Sequence, residues 1–521
     1  MQHGIQTLLA GLPILAILVL MLGFRWSAAK AGSAVLLLTV ALATLYFGFG
    51  TRLLPELGVA GAVSGALAEA VFGAATILWI IFPALCIYEL QQASGAIARI
   101  QQGISSLSAD PRITALLIAW FFALFMEGAA GFGTAAALAA PFLVSMGYGK
   151  VEAVAIVLIG HGIGVSFGAI GTPILPLAAA TPFSAIELSG SIAAYHLLLG
   201  GLMALFVMHF IKQAAPQQGE AQRSIWLWAL AAAALFLLPF YLIARYVGPE
   251  LPTLGGSLVG AAIFVSCLLL WRKRLRSAPG SDKTASHHQS IGELATAAAP
   301  YLVLTGLILL TRLVSPIQEA LSHTVLQWQF NVFEGRVAYL YHPGTLLFMS
   351  FIGGAWWQRQ LLSRNMKAEM SGAMCRALRR LMPVALALTA MLGLSRIMVH
   401  SQMIETLAIS AATSAGSLWP LFAPFVGVLG TFVTGSATAS NILFTEFQQA
   451  SAEQSGHSAL GLQGAQGFGA AVGNLIAPHN IIAASAVVGL SGKEGEVLRR
   501  TLLVTLVYTL MGGLLALFVF G

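Results

Sequence analysis

The amino-acid sequence predicts an all-α, polytopic membrane protein of about 12 transmembrane helices, folded as two inverted repeats with broken or re-entrant helical hairpins. Three observations predict it. Long apolar runs follow one another along the chain, basic residues cluster in a few gaps between them, and short motifs recur at a near-constant offset.

Of the 521 residues, 58% are hydrophobic and 9% charged, whereas a soluble surface needs about a quarter charged residues. Most of this surface therefore faces lipid. Each span takes about 20 apolar residues. The clearest runs are Ile5–Phe24, Ser33–Phe49, Val71–Leu90, Ile113–Met126, Tyr195–Ile211 and Trp226–Tyr246. They continue with Leu258–Trp271, Leu302–Val314, Thr345–Trp357, Met382–Val399 and Leu502–Phe520. In lipid the backbone satisfies itself only as a helix or a closed barrel. The alternating ten-residue segments of a barrel are missing. The first run has no Lys or Arg before it, while Arg25 and Lys30 follow it. It reads as a retained span with its N-terminus outside, not as a leader cleaved near Ser27-Ala28-Ala29. Cys86, Cys267 and Cys375 are scattered without a C-x-x-C, so neither a disulfide framework nor a metal site is indicated.

The net charge of +7 is a topology signal. Most of the 26 Lys and Arg fall in the stretches 25–30, 99–112, 212–223, 272–283, 359–380 and 493–500, which the positive-inside rule places in the cytoplasm. No soluble domain is left to carry a nucleic-acid surface. The polar stretch Lys273–Gln289 reads as a solvated loop, and its His287-His288 pair as incidental.

The internal repeat orders the chain. Ser94-Gly95-Ala96-Ile97 lines up with Ser401-Gln402-Met403-Ile404, and Phe125-Met126-Glu127-Gly128 with Phe432-Val433-Thr434-Gly435, both at an offset of 307. Gly168–Pro173 lines up with Gly473–Pro478 at an offset of 305. The flanking charges are opposed: 94–112 carries Arg99 and Arg112, while 401–419 carries Glu405 and no base. The same element thus lies on opposite sides of the membrane in the two halves, the plan of many secondary transporters. The expected organisation is a first repeat over 1–224, a linking helix pair and loop over 225–292, and a second repeat over 293–521.

Four segments belong at membrane depth but are too rich in glycine, proline and polar residues for plain helices. They are 127–133 and 168–173 in the first half, and 434–441 and 473–480 in the second. Broken helices at depth are tolerated only where they line an enclosed cavity. Freed N–H groups at half-helix starts suit an anion. Gly160, Gly164 and Gly168 follow the small-xxx-small spacing of close helix packing. Gly164-Val-Ser-Phe-Gly168 also matches G-x-S-x-G, but without the strand-to-helix turn that gives the motif meaning. Ionisable residues within spans are functional candidates by default. Glu127 directly precedes a break and is the candidate for a coupling proton. His161 sits mid-span, where a relay and simple packing compete, and His479 follows Pro478 as a ligand-side group. Arg396 could pair with a substrate carboxylate, but it and Glu89, near opposite span ends, read as snorkelling side chains.

Glu127-Gly-Ala-Ala-Gly-Phe-Gly133, Gly248-Pro-Glu-Leu-Pro252, Thr434-Gly-Ser436 with Asn441, and Val488-Gly-Leu-Ser-Gly-Lys-Glu494 resemble the L-lactate permease family of bacterial inner-membrane carriers. The resemblance runs in order along nearly the whole chain. It implies uptake of lactate or glycolate with protons, and a relation to carboxylate carriers with re-entrant hairpins and elevator-like motion. Two positions depart from the family pattern. Members carry an aspartate where this chain has Ala437 and a lysine where it has Asn474, as if a charge pair had been removed as a unit.

The expected function is a multi-pass inner-membrane symporter for a small 2-hydroxy monocarboxylate, L-lactate, D-lactate or glycolate, coupled to protons and using no cofactor or metal. Gly128, Gly131 and Gly133 shape the backbone, while Ser436, Thr438, Ser440 and Asn441 bond the carboxylate and hydroxyl. Thr172, Asn474, His479 and Asn480 complete the opposing wall, and Glu127 with His161 carries the proton. A sodium-coupled carrier of another organic anion and a passive channel are the rivals within transport. The rival from another class is a membrane-embedded enzyme, which needs a nucleophile–base pair or an H-E-x-x-H motif; the sequence shows neither. A homodimer is carried as an expectation that the sequence itself does not fix.

Overall fold

The structure is a computed structural model that describes the chain apart from residues 1, 21–23, 25, 106, 109, 132, 216–224, 277–290, 363–364, 491–492 and 521. The His287-His288 pair and most of its polar stretch lie outside the described residues. Those described are nearly all helical. Among them, nine helices are long and apolar enough to cross a membrane, or ten if a pair bent by 91° at 299–322 counts as one span. Gly4–Ile17, Ala29–Leu45 and Thr134–Ser145 are shorter apolar helices. The expectation of about 12 spans counted the first two of these as full crossings.

In the first half, α1 (Gln2–Leu18) and α2 (Ala28–Leu45) precede α3 (Gly58–Ala93), α4 (Ala96–Ser105) and α5 (Pro111–Ala129). Then follow α6 (Thr134–Ser145), α7 (Lys150–His161), α8 (Ile174–Ala180) and α9 (Ala185–Ala214). The link is α10 (Ile225–Tyr246) and α11 (Pro252–Arg276). The second half runs through α12 (Ala299–Leu313), a hairpin of β1 (Leu326–Phe330) and β2 (Phe333–Val337), and α13 (Pro343–Trp357). It continues with α14 (Met366–His400), α15 (Met403–Ala415), α16 (Trp419–Thr434), α17 (Ala437–Ser455), α18 (Ala459–Gly473), α19 (Pro478–Val487) and α20 (Glu494–Leu515).

The sequence sets the helix ends. Ser27, Asp110, Asn365, Ser436 and Ser458 each cap a helix start through a side-chain oxygen that accepts from a backbone N–H. At the other ends, Gly95 after α3 and Gln402 after α14 are both left-handed, with φ of 70° and 62°. These two residues are matched by the 307 offset. A left-handed glycine is unstrained, whereas glutamine there carries a Cβ penalty.

The longest helices, α3 (36 residues) and α14 (35 residues), pack along each other. Their ion pairs sit at opposite ends. Glu89 of α3 accepts from Arg376 Nε at 2.8 Å and lies 3.0 Å from Arg380 Nε. Toward the other end, Glu69 lies 3.3 Å from Arg396 Nη1 and 2.9 Å from His400 Nε2. Arg396 and Glu89, expected to snorkel, are therefore paired inside the helix bundle instead. A carboxylate only 5% exposed, as Glu89 is, is held by partners and not by headgroup water. Position 69 corresponds to 376 and 89 to 396 at the offset of 307, so the two pairs are the same pair seen from opposite halves.

The two-stranded hairpin was not expected from the sequence. Leu326 pairs with Val337 and Phe330 with Phe333 in antiparallel register, and the turn residue Asn331 has φ 54°. Phe333 is fully buried and packs edge-on against the His400 ring at 4.7 Å. A Cβ on Gly65 of α3 would collide with the Phe333 ring, so glycine is what admits the hairpin here.

Candidate functional site

All four anticipated helix breaks are present. Between α5 and α6 the chain turns through Gly131 (φ 58°) and Gly133 (φ 78°), with Thr134 Oγ1 donating to Gly131 O at 2.7 Å. After α7 a 3₁₀ turn, Gly162–Phe167, leads into three consecutive left-handed residues: Ala169 (φ 44°), Ile170 (φ 57°) and Gly171 (φ 77°). In the second half Gly435 (φ 72°) ends α16, and Ser436 caps α17 by accepting from Ala439 N at 3.3 Å. The turn at 474–477 separates α18 from α19. Helices α16 and α17 form an antiparallel hairpin: Ser440 Oγ donates to Gly427 O at 2.8 Å, and Gln448 Nε2 to Ala423 O at 3.1 Å.

Three of the four breaks converge on one buried group. Glu127 Oε1 occupies the space that a Cβ on Gly168 would need, and its Oε2 lies 3.9 Å from His161 Nε2. Glu127 is 4% exposed and His161 1%. His161 Nδ1 sits 2.6 Å from Val157 O. A carbonyl only accepts, so Nδ1 carries a proton and neutral His161 presents Nε2 as an acceptor. Asn474, from the fourth break, lies beside the His161 side chain. A carboxyl, an imidazole and an amide from both halves thus gather at one place, which suits holding or passing a proton.

The third break meets the second beside it. Asn441 Nδ2 donates to Pro173 O at 2.9 Å. Gln466 Nε2 donates to Asn441 Oδ1 at 3.2 Å and to Ser440 Oγ at 3.3 Å. Val165, Ala437, Ala470 and Ala471 form a small apolar cluster there. Three fully buried glutamines were not anticipated from the sequence: Gln448 Nε2 donates to Gln466 Oε1 at 3.3 Å, and Gln463 Nε2 to Thr445 O at 2.8 Å. Their signal was legible: three glutamines within otherwise apolar or small-residue helices.

The other candidates are spread around this centre. Thr172 is buried, and its Oγ1 donates to Gly168 O at 3.3 Å. Thr438 is buried and Ser436 half-buried, both at the start of α17. The Asn480 amide reaches Asn474 O at 3.5 Å. His479 is exposed, its Cβ beside Gly435. Gly128 faces away from this centre: a Cβ there would lie 2.5 Å from Leu254 N of α11, so its small size serves helix contact. Gly160 likewise lies against Ala119 O, and Gly164 against Leu124 and Thr253.

Ser166, the serine of G-x-S-x-G, does have a histidine partner, contrary to the sequence expectation of no nucleophile–base pair. Its Oγ lies 2.8 Å from His196 Nε2, and His196 Nδ1 lies 3.1 Å from Tyr508 OH. These residues are at most 1% exposed, and Ser166 sits in a 3₁₀ turn between helices. The third member is a phenol in place of a carboxylate, and the serine is sealed from water. The geometry ties α9 and α20 to the break; it is not a hydrolase elbow.

Helices broken at matched places around a buried acid describe a carrier in general, and comparison with known proteins narrows the description. The profile of the L-lactate permease family matches residues 6–520. The chain belongs to the L-lactate permease family. Within that family, the L-lactate permease of Salmonella typhi is 29% identical over 543 residues, covering 98% of this chain and 95% of the relative. The L-lactate permease of Bacillus subtilis is 29% identical over 540 residues, covering 94% and 93%. The glycolate permease GlcA of Escherichia coli is 27% identical over 555 residues, covering 99% and 95%. Among solved structures, the YdaH transporter of Alcanivorax borkumensis aligns with a TM-score of 0.53 at 14% identity, covering 94% of this chain and 97% of that one. MtrF of Neisseria gonorrhoeae, one of a class of antimetabolite efflux pumps, gives 0.52 at 14%, covering 94% and 96%. At such identity these likenesses concern the fold alone. The chain is a multi-pass protein of the bacterial inner membrane.

Proposed function

We propose that the chain is a secondary active symporter for a small 2-hydroxy monocarboxylate, lactate or glycolate, driven by the proton gradient. Membership of a family whose relatives are named for lactate and glycolate supports the cargo. The observation that carries the mechanism is the buried Glu127–His161 pair, 3.9 Å apart, with Asn474 of the other half beside it. On this reading the halves 1–224 and 293–521 are inverted repeats linked by 225–292. Glu127 holds the coupling proton and His161 exchanges it, while Asn474 senses the change from the opposing half. The carboxylate binds at the start of α17, where Ser436, Thr438 and the freed N–H groups of the helix end favour an anion. Thr172, Asn441 and Asn480 close the wall, Ser440 holds the hairpin together, and Gly131 and Gly133 let the backbone turn. No step of this scheme makes or breaks a covalent bond in the cargo.

The test is uptake of labelled L-lactate, D-lactate and glycolate into proteoliposomes under an imposed pH gradient, with and without sodium. Accumulation above equilibrium driven by protons is expected. Glu127→Gln should abolish the pH dependence while leaving counterflow exchange. Sodium-driven accumulation, or an unchanged pH response in Glu127→Gln, would overturn the proton assignment. Simple equilibration would point to a channel.

A further inference from the structure

One titratable cluster lies outside this site and is not used by it. Where α3 and α14 meet α17, Arg396 Nη1 lies 3.3 Å from Glu69 Oε1 and 2.9 Å from Glu446 Oε1. Glu69 Oε2 lies 2.9 Å from His400 Nε2. The four side chains are only 15–19% exposed, and the Phe333 ring covers His400. One turn away, Ser395 Oγ donates to Ile442 O of α17 at 3.0 Å. The cluster therefore fastens α17, whose first turns carry Thr438, Ser440 and Asn441, to the long helix pair.

We propose that Glu69, Arg396, His400 and Glu446 form a proton-loaded latch that holds α17 against the α3–α14 pair when protonated and releases it when the proton leaves. The argument is a charge count. Two carboxylates face one guanidinium, so the cluster is neutral only with one added proton, for which the His400 imidazole is the uncharged acceptor within the cluster. Without it, one negative charge stays unpaired in a largely buried contact, which weakens docking. Among the described residues, other charged groups do not complete the balance. Glu334 and Arg336 on the hairpin and Glu405 on α15 are exposed, while α2 brings only Lys30, which lies over Trp26 at its far end. At the opposite end of the pair, Glu89 already has two arginines. The residue matching Glu446 at the 307 offset is Ala139, so the device exists at one end alone. It rests on the proton-driven reading for its purpose, though not for its chemistry.

The experiment measures the distance between spin labels at Leu45→Cys and Gln454→Cys in the full chain in nanodiscs, from pH 5 to pH 9 and without substrate. Cys267 and Cys375 are replaced by serine, and buried Cys86 is kept. The docked-to-released ratio should rise as pH falls, by up to about tenfold per pH unit, the limit for one proton. Glu446→Gln removes the surplus acid and should stay docked at every pH. His400→Gln should move the transition to lower pH. If Glu446→Gln does not fold, Glu69→Gln removes the same surplus. A distance indifferent to pH in the native chain, or a native response unmoved by both substitutions, overturns the latch. Because no substrate is present, a titrating distance with uptake blind to the proton gradient refutes the symport reading and leaves the latch standing.

Discussion

Placing an acid at position 437 and a base at position 474, the charges that the family resemblance implied, tests the geometry of the site most directly. Ala437 opens α17 and is 5% exposed, packed with Val165, Ala470 and Ala471. Asn474 follows Ala470 and Ala471 by one turn, so positions 437 and 474 share a face and can touch. Ala437→Asp alone buries an unpaired carboxylate at a cost of about 3–5 kcal/mol. The start of α17 returns about 0.3–1 kcal/mol through the helix dipole. Asn474 is half-buried, so Asn474→Lys alone, with an ammonium only partly desolvated, should cost less, about 1–3 kcal/mol. Neither substitution leaves the partner charge that the other needs. The double variant supplies both, so its loss should fall short of the sum of the single losses by about 2–4 kcal/mol. Unfolding in mixed micelles, with all four chains of the cycle, measures that coupling. Losses that add to within about 0.5 kcal/mol would show that positions 437 and 474 do not meet.

Three further outcomes follow from named contacts. Gly168→Ala places a methyl against Glu127 Oε1; it should reduce proton-driven uptake far more than stability, as judged by uptake against thermal unfolding. Glu89→Gln frees Arg376 and Arg380, whose side chains are 44% and 55% exposed, so it should cost only about 1 kcal/mol. Replacing both arginines by alanine strands the buried carboxylate and should cost about 3–5 kcal/mol; the reverse order in mixed-micelle unfolding would sink the assignment. Burial pushes the Asp110 carboxyl up, but the hydrogen bonds and charge of Arg112 outweigh it and hold the group below the ordinary range. That contribution is present above the ordinary carboxylate pKa and is lost as pH falls through the depressed value. Asp110→Ala should thus destabilise by about 1–2 kcal/mol at pH 7, and the gap should close in acid unfolding curves.

Much of the fold was legible because lipid leaves the backbone few options. Apolar runs became helices, and the glycines of 127–133, 168–173 and 434–441 became breaks because a left-handed turn favours a residue without Cβ. Ala169 and Ile170 were not legible as left-handed, since side chains there are disfavoured and only tertiary packing imposes them. The hairpin at 326–337 was hidden by its setting between spans, although Leu326, Trp328 and Phe330 alternate as a strand should. Glu127 could be chosen because it adjoins a break. Its partners His161 and Asn474 were named, but their meeting needed coordinates. Glu69 and Glu446 lie outside the apolar runs read as spans, and the partner of Glu69 lies 327 residues along the chain. Glu89 and Arg396 were misread for the same reason: a span end and a long-range partner look alike in one dimension.

The paired ends of α3 and α14 have a consequence for recognition between copies. If the two halves were identical, each helix would carry one acid and one base at these positions and would bind its own kind as readily as its counterpart. Instead α3 holds both acids, Glu69 and Glu89, while α14 holds Arg376 and Arg396. An α3 helix laid antiparallel on a second α3 would set acid against acid at both ends, and two α14 helices would set base against base. Only the heterotypic partner satisfies either helix. The charges thereby exclude like-with-like pairing and direct every α3 to an α14.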